Sequence, residues 1–109
     1  MKNNNKTWSE AELYCMSLGG HLAKMSSAEE RSFITSKMGG SSFWLGGRDV
    51  VREGDWIWSD GSAVSWTDWG GTEPNGGTSE NCLAWWEEGR YWFDAKCERR
   101  RYFVCSIKV

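Results

Sequence analysis

The sequence predicts an α+β domain in which two helices pack on short antiparallel sheets. Two helix-start motifs occur within the first 40 residues, and each is followed by an apolar pattern that runs into a glycine pair. From residue 43 onward, the apolar runs are short, rich in aromatic and β-branched residues, and separated by glycine and aspartate turns. A chain that forms helices first and strands afterwards is typical of the α+β class.

The first helix is predicted to begin after Thr7, because Thr7 and Glu10 have the spacing of a capping box. Apolar residues then recur at a helical period, and Gly19 and Gly20 provide the stop. The predicted apolar stripe consists of Ala11, Leu13, Tyr14 and Leu18.

The second helix is predicted to begin at one of two overlapping capping boxes, Ser26 to Glu29 or Ser27 to Glu30. It is expected to stop at the glycine pair of residues 39–40. Its apolar positions are Phe33, Ile34 and Met38. The strands are predicted at residues 43–45, 56–58, 82–86, 91–93 and 101–107.

The charge and hydropathy of the chain exclude several function classes. Its 109 residues include 13 basic and 15 acidic side chains, for a net charge of −2. Nucleic acids and anionic membranes select a strong basic excess, so we expect neither as the main partner. No apolar run approaches the ~18 residues that a membrane span requires. No esterase elbow or phosphate-binding loop is recognisable, so we expect the chain not to be an enzyme.

The four cysteines indicate disulfide bonds rather than a zinc site. They include no Cys-x-x-Cys pair, and His21 is the sole histidine. An even number of cysteines in a small aromatic domain is typical of an oxidising compartment, although no leader peptide follows Met1. We therefore expect a secreted or extracellular domain in a mature or trimmed form. Cysteine spacing alone leaves all three pairings open.

The longest stretch without periodicity, residues 59–81, contains five glycines and is predicted to be a functional loop. Its oxygen-bearing side chains, together with one acid on a later strand, suit a hard cation such as calcium, which takes roughly six to eight oxygen ligands. The alternative is a polar surface loop with scattered acids. The candidate calcium ligands are Glu73, Asn75, Glu80 and Asp94.

An ordered set of motifs runs along the chain. It consists of Thr7-Trp8-Ser9-Glu10 with Cys15, Gly20-His21-Leu22-Ala23, Trp44-Leu45-Gly46-Gly47, Trp56-Ile57-Trp58, Glu73-Pro74-Asn75, Glu80-Asn81-Cys82, Trp92-Phe93-Asp94 with Cys97, and Phe103-Val104-Cys105. In this order the motifs resemble the C-type lectin-like domain over essentially the whole chain. The resemblance implies that fold as a single domain over residues 1–109. It also implies the disulfides Cys15–Cys105 and Cys82–Cys97.

The resemblance further implies calcium-dependent carbohydrate binding. In lectins of this kind, one calcium ion is shared between protein oxygens and two vicinal sugar hydroxyls. Glu73-Pro74-Asn75 resembles the version found in binders of mannose, fucose and N-acetylglucosamine, so we expect such glycans, including those of microbial surfaces, as partners. The implied calcium ligands are Glu73, Asn75, Glu80 and Asp94, and an accessory calcium site is implied at Asp49 and Glu53 together with Glu80.

Position 93 departs from the family pattern, since Phe93 replaces the asparagine of a Trp-Asn-Asp motif. A phenyl ring provides no oxygen for calcium, so the Kd is expected to rise toward about 10⁻⁴–10⁻³ M or weaker, and Phe93→Asn is expected to tighten binding. The ring is instead a candidate for packing on a sugar. The alternative function is a calcium-independent C-type lectin-like module that binds a protein or glycan ligand.

The aromatic and basic residues that stand out are assigned mainly to structure. Trp85 and Trp86 are neighbours on one predicted strand and face opposite sides, so that Trp86 is the outward candidate for ligand contact. Trp66 in the long loop suits either a structural role or contact with a ligand. The basic run at residues 96–101 is predicted to be a solvent-exposed segment at the start of a strand, and contact with an acidic ligand is the alternative. The tryptophans that match core positions are Trp44, Trp56, Trp58, Trp69 and Trp92.

Overall fold

Two helices and seven strands form within residues 5–38, 41–49, 55–70 and 81–107, which are the parts of the chain that this computed structural model describes. The two helices lie in the first part of the chain and six of the strands follow them, so the α+β prediction is confirmed. The elements are α1 (Trp8–Ser17), β1 (Gly20–Leu22), α2 (Ala28–Met38), β2 (Phe43–Arg48), β3 (Ile57–Trp58), β4 (Cys82–Trp86), β5 (Tyr91–Ala95), β6 (Tyr102–Phe103) and β7 (Cys105–Ile107).

Helix α1 begins where the capping box predicts. The Thr7 hydroxyl oxygen accepts a hydrogen bond from the backbone N–H of Glu10 at 3.3 Å, and the Glu10 carboxylate accepts one from the Thr7 N–H at 3.1 Å. The buried face differs from the predicted apolar stripe, because the bulk of Trp8 and the disulfide of Cys15 turn another side of the helix inward. Of the predicted stripe, Leu13, Tyr14 and Leu18 are exposed. The buried residues are Trp8, Ala11, Glu12 and Cys15.

Helix α2 begins at the second of the two predicted boxes. The Ser27 hydroxyl oxygen accepts a hydrogen bond from the Glu30 N–H at 3.1 Å, and the Glu30 carboxylate accepts one from the Ser26 N–H. Ile34 and Met38 are buried, whereas Phe33 lies on the exposed side. The predicted stop at residues 39–40 lies outside the described residues. Within the described ranges, neither helix is long and apolar enough to cross a membrane.

The strands form two sheets. The smaller one pairs β1 with β7, with Leu22 opposite Cys105. The larger one has the order β3-β2-β4-β5 with antiparallel neighbours, and β6 also pairs with β2. The β2–β6 pair is parallel, and β1 is a strand that the sequence reasoning missed. Strands of two or three residues are too short to show a period, so their pairing is not visible in the sequence.

The larger sheet separates two hydrophobic clusters. Side chains alternate along β4, so that Leu83 and Trp85 face one cluster and Ala84 faces the other. The cluster on the α2 side, here called the tryptophan cluster, comprises Ala23, Met25, Ile34, Met38, Phe43, Leu45, Trp56, Trp58, Leu83, Trp85 and Trp92. The cluster on the α1 side, here called the α1 cluster, comprises Trp8, Ala11, Cys15, Leu22, Trp44, Cys82, Ala84, Ala95 and Phe103.

Trp92 lies at the centre of the tryptophan cluster. Its ring meets those of Trp58 and Trp69 edge-on at 5.6 Å and that of Trp66 at 5.8 Å between centroids. Trp66 therefore packs on the core from the long loop, and it is only partly buried. The five tryptophans that the sequence assigned to the core are buried or packed against it, and they are Trp44, Trp56, Trp58, Trp69 and Trp92.

Both disulfides have the pairing that the family resemblance implies. Cys15–Cys105 joins α1 to β7, and its Cα atoms are 5.4 Å apart. Cys82–Cys97 joins the start of β4 to the chain just after β5, with Cα atoms 5.3 Å apart. Both separations lie within the ordinary range for a disulfide. The second disulfide closes the end of the β4–β5 pair at which the candidate site lies.

Candidate functional site

Asp94 is the member of the predicted calcium set that falls within the described residues. It lies near the end of β5 opposite Leu83 of β4, and it is only 2% exposed. Directly opposed residues of an antiparallel pair share one face, so Asp94 lies on the same face of the sheet as the tryptophan cluster. The partner of Asp94, Leu83, lies two residues after Asn81, through which the long loop enters β4.

Asp49 lies on the other side of β4. Its backbone N–H donates to the carbonyl oxygen of Asn81 at 3.1 Å, and Asp49 is 2% exposed. Because β2 and β5 flank β4, the backbones at Asp49 and Asp94 are at least two strand spacings apart, or more than about 10 Å. This separation suits two distinct oxygen sites better than one shared site.

The remaining predicted ligands, Glu73, Asn75, Glu80 and Glu53, lie outside the described residues. Within the ranges that the structure describes, no group of three or more His, Cys, Asp or Glu side chains could hold a metal ion. The described residues thus contain only part of the predicted ligand set, and the complete set stays a prediction that depends on residues 71–80.

Phe93 and Trp86 lie on the opposite face of the sheet from Asp94. Phe93 is paired with Ala84 and packs against the α1 cluster, and Trp86 alternates with the buried Trp85. Trp86 is 40% exposed, as predicted for the outward member of the pair. Trp86 is also three residues farther along β4 than the partner of Asp94, or about 10 Å. The structure therefore does not bring Phe93 or Trp86 together with Asp94.

Phe93 and Trp86 instead line a cavity of about 400 Å³ on the α1 side of the sheet. The Trp86 and Tyr91 rings meet edge-on at 5.2 Å, and the guanidinium of Arg101 lies over the Phe93 ring at 5.0 Å. We call this cavity the aromatic pocket, and its lining consists of Ser42, Trp86, Tyr91, Phe93 and Arg101. The sequence reasoning missed Tyr91 and Ser42. It singled out Arg101 only as part of the basic run.

A second, more polar groove of about 540 Å³ lies between β1 and the turn after β3. In it, Nδ1 of His21 lies 2.6 Å from a carboxylate oxygen of Glu12, so the histidine is held by α1. Asp60 accepts hydrogen bonds from the Ser62 hydroxyl at 2.6 Å and the Lys24 ammonium at 2.9 Å. These hydrogen bonds hold the pKa of Asp60 well below its usual range. The groove is thus held by the Lys24–Asp60 ion pair and by the contact between His21 and Glu12.

Comparison with known proteins places the chain in a family. The family model of the lectin C-type domain matches residues 4–107. The alpha-N-acetylgalactosamine-specific lectin of Patiria pectinifera is 37% identical over 119 residues, which cover 95% of this chain and 70% of that protein. Across eight curated relatives, the chain spans between 28% and 73% of each relative's length.

Two solved structures show the same fold. The carbohydrate-recognition domain of cow CD23, crystallised in the presence of a GlcNAc2Man3 oligosaccharide, matches with a TM-score of 0.88 and 31% identity over 99% of this chain and 86% of that one. A calcium-independent type II antifreeze protein also matches with a TM-score of 0.88 and 31% identity, over 95% of this chain and 80% of that one. The chain belongs to the C-type lectin domain family.

Proposed function

We propose that the chain binds glycans of the mannose, fucose or N-acetylglucosamine type through calcium held by Glu73, Asn75, Glu80 and Asp94. The observation that carries the proposal is the position of Asp94, a carboxylate buried at the end of β5 beside the point where the long loop enters β4. The four side chains are carboxylates and one amide, which are the hard oxygen donors that calcium prefers. Their chemistry therefore fits the ion.

The protein's contribution to such a site is to hold the oxygens in position. Pairing of Asp94 with Leu83 and the nearby Cys82–Cys97 disulfide fix the carboxylate before any ligand binds. When bound, calcium would supply coordination to two vicinal sugar hydroxyls. Glu73 and Asn75 would then accept and donate the hydrogen bonds that select the orientation of those hydroxyls. The accessory calcium site at Asp49 and Glu53 is part of the same proposal.

The proposed location follows from the disulfides, and the proposed partners follow from the family. Two disulfides favour an oxidising compartment, so we propose a secreted or extracellular, non-enzymatic domain that extends over residues 1–109. Glycans on microbial surfaces are the proposed partners. Relatives named for galactose or N-acetylgalactosamine specificity occur in the same family, so the choice of sugar rests on Glu73-Pro74-Asn75 in this sequence.

Calorimetry with calcium, followed by retention on mannose–agarose with and without a chelator, tests the proposal. We expect a calcium Kd of about 10⁻⁴–10⁻³ M and retention that the chelator abolishes. Asp94→Asn should abolish calcium binding and retention on the column. The exposed Asp55→Asn should leave calcium binding and retention unchanged, and it is the matched control for a lost carboxylate. Thermal unfolding of both variants checks that they are folded. No calcium heat at several millimolar, together with retention that ignores the chelator, would contradict the proposal.

That contradictory outcome would support the second candidate, a calcium-independent module that binds a protein or glycan. The observation in its favour is that position 93 faces the α1 cluster, so that the strand provides no metal ligand beside Asp94 at that position. The match to a calcium-independent antifreeze protein is consistent with such a loss in this fold.

A further inference from the structure

We propose that the side-chain amide of Asn5 carries an N-linked oligosaccharide, which is attached as the chain enters a secretory pathway. Asn5-Lys6-Thr7 has the acceptor pattern for this modification, in which an asparagine is followed two residues later by a serine or threonine. The other asparagines of the chain lack this pattern. Because the oligosaccharide donor occurs in the secretory pathway, the proposal rests on the secreted location given under the proposed function. It requires neither calcium nor a sugar ligand.

The chemistry of the transfer needs an amide nitrogen and an activated sugar. The donor is an oligosaccharide joined to a lipid through pyrophosphate. A bond forms between Nδ2 of Asn5 and the anomeric carbon of the oligosaccharide, while the bond between that carbon and the pyrophosphate oxygen breaks. The lipid pyrophosphate leaves, and the amide loses one proton. The hydroxyl of Thr7 is the second group by which a transferase recognises the acceptor.

The folded protein leaves room for an oligosaccharide on Asn5. Asn5 is exposed, and within the described residues its side chain makes no hydrogen bond or ion pair. Helix α1 begins at Trp8, whose side chain is buried, so the chain enters the core only after the acceptor residue. An oligosaccharide on Nδ2 therefore displaces no contact of the fold and extends into solvent.

Folding engages the rest of the acceptor sequence. The backbone of Lys6 makes two hydrogen bonds with Arg101, at 2.9 and 3.0 Å, and the Thr7 hydroxyl accepts the N–H of Glu10 at 3.3 Å. Arg101 is made about 95 residues after Lys6, which at about 5–20 residues per second leaves Lys6 without this partner for roughly 5–20 s. We therefore place the transfer before folding, when the segment is still extended and its hydroxyl is accessible.

The position of Asn5 keeps the oligosaccharide away from the candidate calcium site. The Trp44 indole N–H donates to the carbonyl oxygen of Lys6 at 2.9 Å, so the acceptor segment lies beside the start of β2. Asp49 directly follows the last residue of β2, roughly 16 Å of strand beyond Trp44. We therefore expect the modified chain to present the same candidate site as the unmodified one.

Secretion of the chain from eukaryotic cells behind a leader peptide, followed by peptide mass spectrometry, tests the proposal. We expect a sugar-bearing Asn5 peptide, and conversion of Asn5 to aspartate with uptake of heavy oxygen when an amide-cleaving glycosidase acts in labelled water. Asn5→Gln should abolish the modification, whereas Asn4→Gln, at the neighbouring asparagine outside the pattern, should leave it unchanged.

Variants at position 7 separate recognition of the acceptor from folding. Thr7→Ser keeps a hydroxyl and should stay modified. Thr7→Asp keeps a side-chain oxygen that caps α1 but destroys the acceptor pattern, so it should fold with a nearly unchanged Tm and lose the modification. With microsomal membranes and donor, the unmodified chain should be modified far more when it is reduced and unfolded than when it is folded.

The outcomes that would overturn the proposal are specific to Asn5. They are secreted wild-type chain that has both disulfides but an unmodified Asn5, and modification that persists in Thr7→Asp. Equal modification of the folded and the unfolded chain would overturn the order of transfer and folding. The leader supplies the location, so these failures leave the proposed function intact, and calcium calorimetry on the chain without oligosaccharide tests that function separately.

Discussion

The guanidinium carbon of Arg101 lies 5.0 Å from the centroid of the Phe93 ring. This contact fixes the direction of position 93, which faces the α1 cluster while Asp94 faces away from it. The structure thus changes the outcome expected for Phe93→Asn. The new amide would point away from Asp94, so we now expect no gain in calcium affinity. We expect a loss of about 1–3 kcal/mol in the free energy of unfolding, because a half-buried ring and its cation–π contact are removed.

Chemical denaturation and calcium calorimetry of Phe93→Asn measure both expectations. Phe33→Asn is the control, since Phe33 is 64% exposed on α2 and its replacement should change stability little. Tighter calcium binding in Phe93→Asn would show that position 93 reaches the metal, and would restore the interpretation drawn from the sequence.

Glu12 joins α1 to β1, and its removal should destabilise the fold. One carboxylate oxygen accepts the Leu22 N–H at 2.9 Å and the other lies 2.6 Å from Nδ1 of His21. Because the Leu22 N–H is buried, Glu12→Ala leaves a donor without its acceptor, which costs about 1–3 kcal/mol. Thermal unfolding should show a Tm lower by several degrees. Glu29→Ala, at an exposed position in the first turn of α2, should leave the Tm nearly unchanged, and an equal decrease in both variants would contradict the assignment.

The two disulfides should contribute unequally to stability. Cys15 and Cys105 are 90 residues apart, whereas Cys82 and Cys97 are 15 apart. The entropy of loop closure predicts a loss of about 4–5 kcal/mol when the first pair is replaced by alanine and about 3 kcal/mol for the second. Urea unfolding of the two double variants measures this order. A larger loss for the Cys82–Cys97 pair would mean that it also supports native packing around Asp94, beyond its effect on the unfolded chain.

Asp60 should give the protein a small acid-sensitive stabilisation. Hydrogen bonds from Ser62 and Lys24 lower its pKa in the folded state below the value of about 3.9 that it has in an unfolded chain. Its contribution is therefore complete above the unfolded pKa and is lost as the pH falls through the lower folded pKa. The side chain is 35% exposed, so solvent screening keeps the contribution below about 1 kcal/mol.

The free energies of unfolding of the wild type and of Asp60→Asn, compared from pH 7 down to pH 2, check the direction of this pH dependence. The difference in stability should be constant above about pH 5 and should shrink below about pH 4. The exposed Asp55→Asn corrects for the general loss of one negative charge. A difference that grows as the pH falls would contradict the direction of the pKa change.

Local signals in the sequence were sufficient to predict where the two helices begin. Thr7 with Glu10, and Ser27 with Glu30, are capping pairs that depend only on neighbours along the chain, and both form as predicted. The alternation of Trp85 and Trp86 was also predicted correctly, because strand geometry alone places successive side chains on opposite faces. The disulfide pairing required the family resemblance, since cysteine spacing did not choose among the three alternatives.

By itself, then, the sequence determined the class of fold and the starts of the helices, and it predicts the oxygen-bearing residues of a cation site. The tertiary structure decided which side of α1 is buried, that Phe93 rather than Asp94 faces the α1 cluster, and that Arg101 joins Trp86 in one pocket. These properties depend on contacts between residues far apart in the chain. The physical reason is that packing of the sheet between two clusters selects one face for each side chain, and no local pattern contains that choice.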